Sequence, residues 1–436
     1  MEKIGGEEIG RDTSIRQVAV ASFVGTAVEW YDFFVYGTAA ALVFNELFFP
    51  TFDPLAGTLA AFATFAFGFF ARPVGGILFG HYGDRIGRKA MLVLTLLIMG
   101  VATFLIGLLP TYDSIGVWAP ILLVTMRLLQ GIGLGGEWGG AVLMAVEHSP
   151  RDKRGFYGSW PQMGAPAGLI TGTLAFSLLS RLPPEQFIAW GWRVPFLLSI
   201  VLVLVGLFIR LRIAETPAFN RVKERQNEAR MPVVEVFRTY PKNVLLAAGS
   251  GLGNNVLFYT AAVFSLTYAT QQLGLSRATI LNTLLIACVP WLFALPAYAA
   301  LSDKVGRRSV LMAGAAAFAL FAFPFFWLLD TQSTPLILLA LLIALAVIHG
   351  AMYGPQPAFF SELFGTRVRY SGASLATNLA TIIAGGPAPF IATTLLAVSG
   401  GNPWTVAVYM IGMALISLGA LYLAAETLQV DISEDK

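Results

Sequence analysis

Long apolar stretches, separated by short polar ones, recur along the whole chain. A helix needs about 20 apolar residues to cross a bilayer core about 30 Å thick. Twelve stretches have this length, and they cover residues 18–43, 55–80, 90–109, 118–147, 156–180, 190–211, 243–270, 278–301, 309–329, 335–361, 370–397 and 403–424. They lack the alternation of apolar and polar residues that is typical of transmembrane β-barrels. The pattern predicts an all-α membrane protein with twelve transmembrane helices.

The composition agrees with this prediction. Apolar residues make up 56% of the 436 residues and charged residues only 12%, and the mean hydropathy is +0.71. A soluble domain carries about 25% charged residues, so this chain has too few polar groups to cover a water-exposed globule. The net charge of +3 is too small to indicate nucleic-acid binding, and Cys288, the single cysteine, excludes a disulfide scaffold.

The distribution of basic residues predicts the orientation. Most of the 28 Lys and Arg lie in the loops on the N-terminal side, whereas the opposite loops hold only Arg181 and Arg277. By the positive-inside rule, both termini are therefore predicted to be cytoplasmic. Residues 1–17 are polar and the first apolar stretch has no small-residue cleavage site after it, so we expect a retained helix and not a signal peptide.

Three repeated sequence motifs indicate an internal duplication. The loop GDRIGRK at 83–89 is repeated as SDKVGRR at 302–308, and AET recurs at 214–216 and 425–427. A Glu followed by Arg and Gly occurs after both the fourth and the tenth stretch. We predict an N-terminal tail (1–17), a six-helix half (18–213), a cytoplasmic linker (214–242), a second six-helix half (243–425) and a C-terminal tail (426–436). Repeats of this kind bind solute near the midplane, between the halves.

These motifs resemble those of a known transporter family. The loop at 83–89 and RLLQGIG at 127–133 resemble motifs of the major facilitator superfamily. EWYDF at 29–33, GGEWGG at 135–140 and WGWRVPF at 190–196 are similar to the metabolite:proton symporters, with the shikimate carriers nearest. The resemblance implies the major facilitator fold and proton-coupled uptake across a bacterial inner membrane, without enzymatic activity, cofactor or metal. The chain departs from the shikimate carriers at 160–162 and 254–255, so the substrate does not carry over.

Ionisable residues within apolar stretches are the strongest functional candidates, because each costs roughly 2.5–3.5 kcal/mol at a helix centre. Glu29 and Asp32 lie three residues apart, on one face of the first helix, and Arg127 lies in the fourth. One hypothesis is that Asp32 or Glu29 takes up the proton while Arg127 pairs with it or with an anionic substrate, since a guanidinium binds a carboxylate through two hydrogen bonds. The alternative is a permanent structural ion pair.

Other polar residues within the stretches have two interpretations each. Glu137 is a second proton site or a partner of polar groups on a neighbouring helix. His349 is a proton relay, since imidazole titrates near neutral pH, or a buried neutral side chain. The remaining candidates are substrate ligands or helix-to-helix hydrogen-bond partners; they are Gln130, Asn255, Tyr259, Tyr353, Gln356 and Asn378.

Charged residues at the predicted cytoplasmic surface form a further set. It comprises Asp84, Arg85, Arg88, Glu147, Arg154, Asp303, Arg307, Glu362 and Arg369. The resemblance implies a latch that holds the inner side shut in the outward-facing state. The alternative is topology signals and solvated helix ends, where each exposed pair contributes under about 1 kcal/mol.

One motif is discounted as a nucleotide site. GIGLGG at 131–136 matches a dinucleotide fingerprint but lies inside an apolar stretch without a preceding strand. We predict instead that these small residues let the fourth helix approach a neighbour closely.

The sequence therefore predicts a proton-coupled symporter of a small organic acid or a related metabolite such as a zwitterion. Its expected partners are the substrate, protons and membrane lipids, and it is expected to work as a monomer. One alternative is a proline or betaine carrier, for which Trp30, Tyr31, Trp138 and Tyr259 would supply an aromatic cage. Another is a membrane receptor that transports nothing.

Overall fold

The computed structural model describes residues 15–51, 54–86, 88–212, 232–365 and 368–430, and these contain helices and no strand. Twelve long helices in these ranges lie over the twelve predicted stretches. They are α1 Ile15–Leu42, α2 Pro54–Ile86, α3 Arg88–Leu108, α4 Trp118–Glu147, α5 Arg154–Leu179, α6 Arg193–Arg212, α7 Pro241–Tyr259, α8 Arg277–Val305, α9 Arg307–Asp330, α10 Thr334–Glu362, α11 Arg369–Val398 and α12 Trp404–Leu423. The predicted all-α class is confirmed.

Helix length and apolar composition identify fewer than twelve membrane spans. In the described ranges, eight helices are long and apolar enough to cross a membrane, or nine if Pro184–Gly191 and Arg193–Phe208, bent by 41°, form one span. The apolar part of α3, Val93–Leu108, is shorter. Twelve spans therefore stay a prediction.

The outer surface of the helices is apolar. Leu320 and Val398 are each 81% exposed, and Leu245 is 70% exposed. A soluble protein rarely exposes so many large apolar side chains, so these faces are suited to lipid.

The helices pack in two sets that we call the N-terminal half (α1–α6) and the C-terminal half (α7–α12). In the first, α1 packs on α5, α2 on α4 and α3 on α6; in the second, α7 and α9 pack on α12. The main contact between the halves joins α5 to α8, and α2 also meets α11. A central site is therefore bounded by helices from both halves.

Glycines bring α2 and α4 into backbone contact. A Cβ on Gly131 would lie 2.0 Å from the carbonyl oxygen of Gly68, and one on Gly135 would lie 1.9 Å from that of Arg72. No larger residue fits at these positions, which confirms the predicted close approach of the fourth helix. Immediately after Gly135, α4 is interrupted by a turn at residues 136–137.

Helices of the C-terminal half contain π-helical turns. They occur at Thr260–Phe264, Tyr268–Gln272, Ile343–His349 and Thr381–Gly385. Such turns leave backbone groups less regularly paired and are frequent at functional sites. Of the predicted linker, the structure describes the helix Pro232–Thr239, while residues 213–231 lie outside the described part.

Candidate functional site

A first polar cluster lies inside the N-terminal half. It brings together Asp32 of α1, Thr103 of α3, and Arg127 and Gln130 of α4. Asp32, Arg127 and Gln130 line a small cavity with room for about one water molecule. The remaining lining residues are Phe33, Gly68, Met99, Gly131 and Leu134. The structure thus places the predicted proton site and the predicted cation beside each other.

Arg127 is held in one orientation by its own half. Its Nη1 donates to Oε1 of Gln130 at 3.1 Å, and its Nε donates to the carbonyl oxygen of Phe65 at 3.4 Å. The guanidinium carbon lies 4.4 Å from the ring centroid of Tyr36 and 4.5 Å from that of Phe33. Stacking on aromatic rings stabilises a guanidinium without neutralising it.

Gln130 orients Arg127 and is itself fully engaged. While its oxygen accepts from Arg127, its Nε2 donates to Oγ1 of Thr103 at 2.7 Å. Both ends of the amide are therefore occupied in this conformation. The predicted role of Gln130 as a substrate ligand stays untested, and its observed contacts are those of a positioning residue.

Gly68 leaves the space that the Arg127 side chain occupies. A Cβ at Gly68 would lie 2.5 Å from Nε of Arg127, so we expect Gly68→Ala to displace the guanidinium and to cost about 1–3 kcal/mol of stability. A lower melting temperature of the purified protein in detergent would show this.

Gly412→Ala is the matched control, because nothing lies within 4 Å of a Cβ built there. Alanine has the higher helix propensity, so the control should melt at the same temperature or above. Equal melting of both variants would contradict the packing argument.

Asp32 is buried without a hydrogen-bond donor. The side chain is 1% exposed, and neither carboxylate oxygen has a hydrogen-bond partner among the described residues. Its polar neighbour is Thr103, whose hydroxyl already donates to the carbonyl oxygen of Met99 at 2.9 Å. The Thr103 oxygen can accept a hydrogen bond from a protonated Asp32 while keeping this bond, whereas it can donate to an ionised Asp32 only by turning its proton away from Met99.

A second polar cluster lies where the two halves meet. It contains Glu29 of α1, Arg72 of α2, Tyr259 at the end of α7 and Tyr353 of α10, which lie within electrostatic reach of one another. Glu29 is 5% exposed and Tyr259 is 1% exposed. Glu29 and Asp32 share one helix face as predicted and lie within electrostatic reach of each other, but their other polar neighbours differ.

Arg72 rests on an aromatic layer that reaches across the interface. Its guanidinium carbon lies 4.7 Å from the ring centroid of Phe69 and 5.7 Å from that of Phe33. The Tyr259 ring lies 5.6 Å and 6.0 Å from the same two rings. Arg72 therefore lies beside rings that contact the C-terminal half. Arg127 shares the Phe33 ring but makes its hydrogen bonds within its own half.

His349 is enclosed by aromatic side chains in a π-helical turn of α10. Its ring centroid lies 5.2 Å from Phe258, 5.1 Å from Trp291 and 4.9 Å from Tyr353. It is 2% exposed, and Nδ1 has no hydrogen-bond partner in the described part of the chain. These surroundings suit a neutral imidazole, while the relay role stays a prediction.

The remaining amide candidates contact helices. Gln356 accepts a hydrogen bond at 3.2 Å from Asn254, which lies on α7. Asn255 donates at 2.8 Å to the carbonyl oxygen of Gly251 in its own helix. Asn378 of α11 is half-buried and faces Gly76 of α2. In this conformation Gln356 makes a helix-to-helix hydrogen bond, whereas Asn255 bonds within its own helix, and the role of both as substrate ligands stays a prediction.

Glu137 and the residues of the proposed aromatic cage lie on several helices. Glu137 is 1% exposed and lies in the break of α4. The hydroxyl of Tyr31 donates to the carbonyl oxygen of Pro195 on α6 at 2.6 Å, so it points away from the interface. Trp138 donates to Gln162 at 3.1 Å. Because Tyr31 faces another helix, the four aromatic residues expected to form a betaine cage are not brought together.

Buried charges connect the halves at the inner end, the end that carries the predicted cytoplasmic loops. Arg307 pairs with Asp303 at 2.6 Å and with Glu362 at 3.4 Å. Asp303 in turn accepts hydrogen bonds from the backbone N–H groups of Gly155 and Phe156, at 2.9 and 3.0 Å. The first turn of α5 is thereby bound to α8 of the opposite half.

A second ion pair crosses the inner end. Arg369 of α11 lies 3.3 Å from Glu147 of α4, and Arg154 donates to the carbonyl oxygen of Val430 at 2.9 Å. We expected surface pairs, but the side chains of Arg307 and Glu362 are 0% exposed, so this part of the expectation was wrong. The side chains of Asp84, Arg85 and Arg88 lie outside the described residues.

The halves also touch at the opposite, outer end. Gln271 donates to the hydroxyl of Thr58 at 3.2 Å, and the hydroxyl of Ser177 donates to Asn282. With contacts at both ends, the two polar clusters are enclosed in this conformation.

Comparison with known proteins agrees with this architecture. The family model described as the Major Facilitator Superfamily matches residues 22–389. The chain belongs to the Major Facilitator Superfamily. The shikimate transporter of Escherichia coli strain K12 is 45% identical to this superfamily member over 405 residues, 92% of each chain. The proline/betaine transporter of the same strain is 35% identical over 417 residues, which cover 93% of this chain and 83% of that one.

A solved structure shares the fold. The crystal structure of a D-xylose-proton symporter, 19% identical, matches with a TM-score of 0.73 over 96% of this chain and 99% of that one. With the family match and the 45% identical relative, the present superfamily member is a multi-pass membrane transporter and not an enzyme. The resemblance to metabolite carriers found in the sequence is confirmed.

Sequence reasoning missed several residues of this transporter's polar network. Arg72 was visible as a guanidinium inside an apolar stretch, the same signal that identified Arg127. The repeated AET motif also had a structural role, because Glu426 accepts hydrogen bonds from the backbone N–H groups of Arg307 and Arg308, at 2.9 and 3.1 Å. Thr103 carried no sequence signal, since a threonine in a helix is common.

Proposed function

We propose that this transporter carries a small organic acid into the cell together with a proton, by alternating access, with both termini cytoplasmic. The observation that carries the proposal is Asp32, a buried carboxylate without a hydrogen-bond donor beside a cavity of about one water molecule. A buried unpaired charge is costly, and a bound proton removes that cost. Asp32 is thus the proton-binding group.

Arg127 acts on the same step from across the cavity. It is fixed by Gln130 and by the aromatic rings of Phe33 and Tyr36. Because Arg127 lines the same cavity as Asp32, its guanidinium is the cation placed to stabilise the carboxylate when Asp32 loses its proton. Release of the proton therefore changes the attraction between α1 and α4, which is a local event able to bias rocking of the halves.

The contacts at the inner end serve as the latch. Asp303 and Arg307 hold the first turn of α5, and Arg369 holds Glu147. Arg307 stays with Asp303 in the C-terminal half and holds its carboxylate in place. The bonds of Asp303 to α5 and the pair of Arg369 with Glu147 must break before the inner side opens, because they join opposite halves. They are rebuilt when the transporter returns to the outward-facing state.

The substrate class rests on the relatives and on the cations of the site. A relative 45% identical over 92% of each chain is named a shikimate transporter, and shikimate is a carboxylate. Two guanidinium groups, Arg72 and Arg127, are buried in the centre, and a guanidinium is the preferred partner of a carboxylate. A proline or betaine substrate is less favoured, since its expected aromatic cage is not assembled.

Uptake into liposomes tests the proposal. Vesicles containing the purified protein are given labelled shikimate, with quinate, benzoate and proline in parallel, and an outside pH two units below the inside. We expect one of the acids to accumulate above its outside concentration, and a protonophore to abolish the accumulation. Uptake of an acid that is indifferent to the pH gradient would exclude symport, and accumulation of proline alone would favour the osmolyte alternative.

A further inference from the structure

The two buried guanidinium groups differ in what they can reach. Arg127 uses Nε and Nη1 for hydrogen bonds to Phe65 and Gln130 and stacks on rings of its own half. Arg72 rests on Phe69 and Phe33, the two rings that also contact Tyr259 of the opposite half. Arg127 also rests on rings that contact Tyr259, but two of its nitrogens already donate hydrogen bonds within its own half. Arg72 is therefore the better placed of the two to bind a solute held between the halves, because its Nε has no hydrogen-bond partner in the part of the chain that the structure describes.

Polar atoms without partners face each other across the same interface. Nε of Arg72 and the hydroxyl of Tyr259 are both buried, and neither has a hydrogen-bond partner among the described residues. An unpaired buried donor costs about 1–3 kcal/mol, so such atoms on opposite halves mark a position where a ligand completes the pairing. Tyr353, half-buried on α10, lies within electrostatic reach of both groups.

We infer that Arg72 binds the substrate carboxylate, that Tyr259 donates a hydrogen bond to it from the C-terminal half, and that the ligand is a small monocarboxylate. This inference rests on the proposed function and names the binding group within it. One guanidinium faces the interface, which matches one carboxylate. The rings of Phe33 and Phe69 beneath it present an apolar surface, which suits the carbon skeleton of the acid.

Glu29 gives this site a way to release its ligand. Its carboxylate belongs to the cluster around Arg72, Tyr259 and Tyr353, so it competes with a bound acid for the guanidinium. When the substrate carboxylate replaces Glu29 beside Arg72, the buried cation has a carboxylate partner in both the empty and the loaded transporter. This matters because an uncompensated buried charge would be costly.

Binding of matched acid and amide probes tests the assignment. The probes are shikimate, benzoate and pyruvate and the primary amide of each, applied to the purified full-length protein, with thermal stabilisation as the readout. The wild type should prefer at least one acid to its amide. Arg72→Gln should bind that acid roughly 10- to 100-fold more weakly and lose the preference, since a hydrogen bond to a charged group is lost.

Three further variants allow this result to be interpreted. Arg72→Lys should weaken binding partially, because the charge stays while the two-pronged geometry is lost; it also decides the question if Arg72→Gln fails to fold. Tyr259→Phe should weaken binding of the acid less than Arg72→Gln does. Arg277→Gln, at the outer end, serves as the control and should bind as the wild type does.

Failure of the Arg72 assignment and failure of the proposed function would give different results. If the wild type prefers an acid and both Arg72 variants retain its full affinity and the preference over the amide, the assignment to Arg72 is overturned while the proposed function stands. If no acid stabilises the wild type but proline does, the organic-acid function itself falls, and the inference with it.

Discussion

Asp32→Asn is expected to abolish proton-driven accumulation while leaving exchange of substrate across the membrane. One pH unit corresponds to about 1.4 kcal/mol per proton, so a gradient of about two units supports roughly 100-fold accumulation when one proton accompanies each substrate. Asparagine has the shape of the protonated acid but releases no proton. Liposomes with the variant should therefore equilibrate the acid without concentrating it.

The measurement compares two assays on the same vesicles. The first is accumulation of the acid under a pH gradient, and the second is exchange of labelled for unlabelled acid without one. Asp113→Asn is the matched control, because Asp113 is exposed in the short helix Tyr112–Ile115, away from the cavity. If Asp32→Asn still concentrated the acid as the wild type does, Asp32 would not be the coupling site.

Arg307→Ala is expected to cause the largest loss of stability. The Arg307 side chain is 0% exposed; it pairs with Asp303 and Glu362 and donates to the hydroxyl of Ser302 at 2.9 Å. Removing one partner of a buried ion pair leaves the other charge uncompensated, which costs about 3–5 kcal/mol. The melting temperature in detergent should fall accordingly.

Two neighbouring variants separate charge from geometry. Arg307→Lys should recover part of the stability, since a lysine carries the charge but cannot bind Glu362 through two nitrogens. Arg308→Ala is the control, because this partly exposed side chain stacks on Tyr422 at 5.6 Å and should cost under about 1 kcal/mol. An Arg307→Ala variant as stable as this control would contradict a buried inner latch.

The apolar pattern predicted the helices well, since a bilayer imposes one length on every span and requires each backbone group to be bonded within its helix. The boundaries of α1, predicted at residues 18–43 and observed at Ile15–Leu42, show the accuracy. The breaks were harder to anticipate. The π-helical turn Ile343–His349 lies in a continuous apolar stretch, because such turns depend on packing against neighbours.

The sequence predicted which residues belong to the candidate site better than it predicted which of them lie next to each other. Asp32, Arg127 and Gln130 do line one cavity, as charges in apolar stretches and their superfamily motifs indicated. Glu29 lies three residues from Asp32 but belongs to the cluster of Arg72. Helical periodicity gives the face of a residue, whereas its partner depends on which helix lies opposite.

Local composition and contiguous motifs were enough to identify the class of protein, the number and order of the apolar stretches and the superfamily. Only the folded chain shows that Arg127 donates its hydrogen bonds within its own half, whereas Nε of Arg72 has no partner among the described residues. It also shows that Arg369 pairs with Glu147 across the inner end. Such choices depend on contacts between residues far apart in the chain, which periodicity and local composition do not encode.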